Sequence, residues 1–207
     1  MSISSVRLVS ACMEGQSCQS DRARMIYHFS LQAAGIVAGI LLLLVAVPGM
    51  LKPDAVRRFA ALFPRSRPLG VGLLTIDFLW TLWLLTTMEM GEFSSFRRPL
   101  LVILPIGFFL VIRFVNEFLA VRALGILCLL LAEPLLDAAF FRYETSRLLV
   151  TVFAYVLIVA GLFWVMLPYL LRDQLDWSTR TAGRCRLVHG VALVYGVALL
   201  ALAITQY

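Results

Sequence analysis

The sequence predicts an all-α membrane protein, a polytopic bundle of about six transmembrane helices with a short amphipathic helix in its first inner loop. Three observations carry this prediction. The 207 residues are 61% hydrophobic and only 14% charged. The mean hydropathy is +0.92. The apolar residues gather into stretches near the ~20 residues that cross a bilayer. Neither an ordinary soluble domain nor a disordered chain has this composition.

Residues 1–25 form a polar N-terminal tail, and translation could also begin at Met25, directly before the first apolar stretch. The run Val9-Ser10-Ala11-Cys12 has the look of a lipoprotein cleavage box but lacks the apolar segment that should precede it. Residues 26–207 read as one transmembrane domain. The predicted spans are Ile26–Met50, Leu69–Met88, Pro99–Val115, Phe118–Phe140, Leu148–Leu171 and Leu187–Thr205. The junction from Arg113 to Glu117 is the least defined, either a tight turn between two helices or part of a longer broken segment.

Basic residues set the orientation. Eleven fall in loops one, three and five, against seven in the tail and loops two and four. Both termini are therefore expected outside, with loops one and five cytoplasmic. Only Lys52 among the 18 basic residues is lysine, an arginine bias typical of GC-rich genomes. A bacterial cytoplasmic membrane is the expected location. The net charge of +6 is spread over short loops beside apolar spans, so it fits anionic headgroups and not nucleic acid.

Loop one contains a helix of its own. Val56, Phe59, Ala60 and Phe63 fall at i, i+3, i+4 and i+7, Pro53 suits the first turn, and Asp54 suits the helix N-terminus. Arg57 and Arg58 lie off that face, and with Arg65 and Arg67 they are the expected membrane-surface contacts. A faint repeat is also present. An ungapped shift of 120 positions aligns Pro48 with Pro168 and Gly70 with Gly190, which suggests parallel hairpin units at 33–87 and 153–207.

The most informative residue is Asp77, an acid near the middle of Leu69–Thr87. Placing Asp at a span centre costs about 2.5–3.5 kcal/mol, so it should be received by another group. Arg122 is the first candidate partner and Tyr195, at nearly the same depth, the second; Thr81 lies one turn away on the same face. Glu133 and Asp137 share a face of the fourth span with Arg122, a stripe expected to avoid lipid by facing the interior, a water-filled cleft or a partner subunit. Alternatively, Asp137 sits at headgroup level and Glu133 pairs with Arg142 or Arg147. Pro134 could free a carbonyl in that helix.

No residue set calls for a metal or cofactor. The four cysteines, Cys12, Cys18, Cys128 and Cys185, lack zinc-site spacing. His28 and His189 begin spans at opposite membrane edges, separated by most of the ~30 Å hydrocarbon core, and cannot share a haem. Metalloprotease, hydrolase-elbow, phosphate-loop and dinucleotide motifs are lacking. Three functions fit this pattern. The first is a non-catalytic accessory or scaffolding subunit, or interaction module, of a membrane complex. The second is a small-solute or ion transporter using Asp77 with Arg122. The third is a membrane enzyme on lipid-linked substrates using Glu133 and Asp137. The expected partners are the bilayer and either other membrane subunits or further copies of the chain.

Overall fold

The computed structural model describes residues 31–87, 96–114, 118–140 and 147–205. Among them are eight α-helices in chain order: α1 (Leu31–Leu51), α2 (Pro53–Leu62), α3 (Arg67–Thr87), α4 (Arg97–Phe114), α5 (Leu119–Ala139), α6 (Arg147–Met166), α7 (Pro168–Thr179) and α8 (Ala182–Thr205). A single 3-10 turn, Phe63–Arg65, links α2 to α3. Five of these, α1, α3, α5, α6 and α8, are long and apolar enough to cross a membrane. The shorter α4 has 18 residues and carries Arg97 and Arg98 at one end and Arg113 at the other. Large apolar side chains cover the outside of the bundle, with Leu44 and Phe109 each 70% exposed. Such a surface suits lipid and not water, and the fold fits a multi-pass membrane protein.

Small residues bring the helices together. In a bilayer there is no hydrophobic force between helices, so close backbone approach at Gly and Ala carries the packing. On α1 the buried positions include Ala34, Gly35, Ala38, Gly39, Ala46 and Gly49, and this face meets α8. A Cβ added at Gly39 would lie 3.1 Å from the Gly196 carbonyl oxygen and 2.6 Å from Leu200. The α5–α6 seam is tighter still. There a Cβ on Gly161 would stand 2.7 Å from Gly125 O, and one on Gly125 would stand 2.9 Å from Gly161 O. Helix α3 reaches α5 through Gly70, whose missing Cβ would meet the Ala120 backbone nitrogen at 2.7 Å.

Two apolar cores result. The larger joins α1, α5, α6 and α8 around Leu31, Ala38, Leu135, Phe153, Ala154 and Leu199. The smaller joins α3, α4 and α5 around Leu74, Leu119 and Ala123. No residue of α4 is buried, so this helix is the most peripheral of the long ones. It is held to α3 by a Phe78–Phe108 stack, with centroids 4.5 Å apart, and by Arg97. The Arg97 guanidinium donates to Leu85 O at 2.9 Å and Thr86 O at 3.0 Å, satisfying carbonyls that the end of α3 leaves open.

The expected helix in loop one is present as α2. Its buried residues are Pro53 and Ala60, with Val56 and Phe63 half-buried, while Phe59 and Leu62 are exposed. The fifth predicted span needs correction. It ends at Met166 and not Leu171, because Leu167 leaves helical geometry (φ −127°, ψ 73°) and Pro168 begins the separate helix α7. A residue before proline is pushed out of the α region, and proline fits a helix's first turn. The basic segment expected as loop five is consequently mostly α7, and the sixth span begins at Ala182 instead of Leu187. Helix α7 packs on α2, so both amphipathic helices lie at the same end of the bundle.

The two breaks are alike. Lys52 has φ −135° and ψ 71° and is followed by Pro53, as Leu167 is by Pro168. The two prolines stand 115 positions apart, where the ungapped sequence match used a shift of 120. At the Arg113–Glu117 junction, α4 ends at Phe114 and α5 begins at Leu119, and residues 115–117 lie outside the described set. Phe118 follows at φ 57°, a left-handed conformation uncommon for a bulky side chain.

Candidate functional site

Helix α3 buries Gly70, Leu74 and Asp77, a stripe at i, i+4 and i+7 that packs on α5. Asp77 is therefore buried by its place in the helix period, and it is the central residue of the 21-residue α3. It is 2% exposed. Both carboxylate oxygens are buried with no hydrogen-bond partner among the described residues. Counting from the Gly70–Ala120 contact at 1.5 Å per residue, Asp77 lies about level with Cys128 of α5.

The expected partners of Asp77 stand elsewhere. Arg122 lies some 7 Å nearer the α2/α7 end by the same count, with Leu74 and Ala123 packed in the interval. No ion pair joins Arg122 and Asp77, and Arg122 Nε is itself buried without a partner. Tyr195 belongs to the other core. Its hydroxyl donates to Leu149 O at 2.7 Å, tying α8 to the start of α6, and its ring lies 6.4 Å from that of Phe153. Arg122 is thus set apart from Asp77 along the helix axes, and Tyr195 stands on α8, which packs chiefly on α1.

Beside Asp77 the surface opens sideways into a groove of about 180 Å³ between α3 and α4, floored by Ile126 of α5. Asp77 and Thr81 are its polar side chains; Leu74, Phe78, Leu104, Phe108 and Val111 make the walls. Gly107 of α4 also lines it, and a Cβ there would meet nothing within 4 Å. A second, wholly apolar cavity of about 100 Å³ lies between α1, α3, α5 and α6, lined by Trp80 and Pro134 among others. Helix α5 continues through Pro134 without a break.

The stripe on α5 does not gather inside the bundle. Glu133 is exposed, and Asp137 and Arg122 are half-buried. Neither acid has an ion pair among the described residues, Arg147 included; Arg142 lies outside them, as do Cys12, Cys18 and His28. Arg57, Arg58, Arg65 and Arg67, expected as membrane-surface contacts, are all exposed, at the α2/α7 end.

The sequence reading missed the pairing of His189 with Gly49. The imidazole sits directly over the Gly49 backbone, where any Cβ would strike the ring. His189 Nδ1 lies 2.8 Å from Cys185 O, and a carbonyl only accepts, so Nδ1 carries the proton. It cannot then take one from the Cys185 thiol 3.7 Å away, and the two do not form a nucleophile–base dyad. The sequence signal was present: a glycine one turn past Ala46 and the i, i+4 spacing of Cys185 and His189. Among the described residues no three His, Cys, Asp or Glu side chains gather as a metal site. No protein-family model matches the chain, and neither a curated protein nor a solved structure matches it.

Proposed function

We propose that this chain is a non-catalytic subunit or interaction module of a bacterial cytoplasmic-membrane complex, and that it docks its partner at the α3/α4 groove. The single observation behind this is Asp77, a buried carboxylate with both oxygens unpartnered beside a laterally open groove. A polar group inside a membrane normally faces a partner, and a lone acid there is a site awaiting one. Helix α4, with no buried residue of its own, is the natural edge at which another membrane segment is added.

In this reading α4 is the sixth crossing, the arginine-rich end with α2 and α7 is cytoplasmic, and both termini are outside. Helices α2 and α7 then lie in the headgroup layer, with Phe59, Leu62, Tyr169 and Trp177 exposed to it. Their shared break-and-proline geometry fits an origin by duplication in parallel orientation. Ion or solute transport has less support, because the groove offers no chain of polar groups beyond Asp77 and Thr81. A carboxylate-pair enzyme lacks a pocket, since Glu133 and Asp137 line neither cavity described above.

The test is purification of the full chain from its native membranes in mild detergent, with native mass spectrometry of the particle. A fixed stoichiometric partner supports the subunit reading. Recovery as a lone monomer or homo-oligomer, reproduced across detergents, overturns it.

A further inference from the structure

Resting on the subunit reading, the chemistry of the groove narrows the partner. We propose that the α3/α4 groove seats a transmembrane helix of a different protein, one that presents a lysine or arginine at mid-bilayer depth to Asp77. Charge is the first reason. The Asp77 carboxylate has four lone-pair positions and no donor for any of them. In hydrocarbon the complement that satisfies most of them at once is a basic side chain, which itself needs an acid to be tolerated there.

Depth is the second. Asp77 is ten residues from either end of α3, about 15 Å at 1.5 Å per residue. The groove opens to the side of the bundle and is apolar apart from Asp77 and Thr81, so a lipid-soluble apolar helix can enter where a hydrated ion finds no polar path. Gly107 lowers the α4 wall beside it, leaving open space of the kind that close helix approach uses.

A second copy of this chain does not fit. Among the described residues every Lys and Arg lies on α2 or α7, in the turns joining them to the long helices, or within about two turns of an end of α3, α4, α5, α6 or α8. None stands at the depth of Asp77. No described residue of a second copy supplies the basic group, which points to another chain.

The experiment places the full-length protein in phosphatidylcholine vesicles with synthetic leucine–alanine transmembrane peptides carrying a terminal dansyl group. One peptide has a central lysine, one a central leucine, and one a lysine near its end. Energy transfer from the protein's tryptophans reports binding. The central-lysine peptide is expected to bind more tightly than both others by on the order of tenfold, the scale of polar contacts between membrane helices. Asp77→Asn should erase that preference. Gly107→Phe should block the peptide while leaving the fold intact, because the new side chain enters open space. A charge swap, Asp77→Lys against a central-glutamate peptide, should restore binding.

Equal binding of the lysine and leucine peptides, or a preference that survives Asp77→Asn, overturns the proposal. The two readings fail separately. A native complex that persists in Asp77→Asn leaves the subunit reading standing and removes this one. A protein that purifies alone yet prefers the central-lysine peptide does the reverse.

Discussion

Replacing Asp77 by leucine should make the isolated protein more stable. Both carboxylate oxygens are buried and unpartnered, and the residue is 2% exposed at the centre of α3. Leaving a buried polar group unsatisfied costs roughly 1–3 kcal/mol relative to a state in which water reaches it. Asp77→Leu removes that cost and adds apolar contact with Leu74 and Phe78, while the adjoining groove of about 180 Å³ gives the larger side chain room. The net gain should be about 1–3 kcal/mol. The assay is reversible unfolding in mixed micelles of mild detergent and sodium dodecyl sulfate, where the denatured state hydrates the carboxylate. Asp77→Asn, which keeps a polar group in place, should change stability by less than about 0.5 kcal/mol. If Asp77→Leu instead lost more than about 1 kcal/mol, the carboxylate would have a partner inside the fold. Its role as an unfilled docking point would then be untenable.

Other expectations follow from the packing. Gly161→Ala should cost about 1–3 kcal/mol, because its Cβ would press on the Gly125 carbonyl and force α5 and α6 apart. Gly72→Ala, with nothing within 4 Å, should be neutral or stabilising by up to about 1 kcal/mol; equal costs at the two sites would refute the close approach. Tyr195→Phe removes the bond to Leu149 O and should cost about 0.6–1.7 kcal/mol in the same unfolding assay, a loss that Asp77→Asn does not alter if the two sites are independent. For orientation, single cysteines are placed at Arg57 and Arg172 in a background without the native ones. They should react with a membrane-impermeant maleimide only after the cytoplasmic face is opened, and Phe140→Cys should react in intact cells. The opposite pattern reverses the proposed topology.

The long apolar helices were legible because hydropathy depends only on composition along the chain. Helix α2 was legible as well, from Pro53 and the spacing of Val56, Phe59, Ala60 and Phe63, although Phe59 turns outward. Helix α7 was not, since Tyr169, Leu170 and Leu171 continue the apolar run past the break at Leu167. Asp77 was recognisable as the anomaly, and so was its depth. Its surroundings were not. Whether Arg122 or Tyr195 meets it depends on how α3, α5 and α8 are rotated and which neighbours they choose. Those choices are made by Gly70 on Ala120 and by Gly39 on Gly196, contacts that a single sequence records only as small residues.

The pairing of α1 with α8 sets a schedule for assembly in the membrane. The face of α1 that carries Gly35, Gly39 and Gly49 is closed by a helix that begins only at Ala182. At ~5–20 residues per second, the ribosome needs on the order of ten seconds to reach it after finishing α1. Throughout that interval α1 waits in the bilayer with its tightest interface unfilled. Chains stopped before α8 should be the ones that quality-control proteases in the membrane remove first. A nascent-chain series sampled for protease sensitivity would show protection arriving late and at one step, when His189 settles over Gly49.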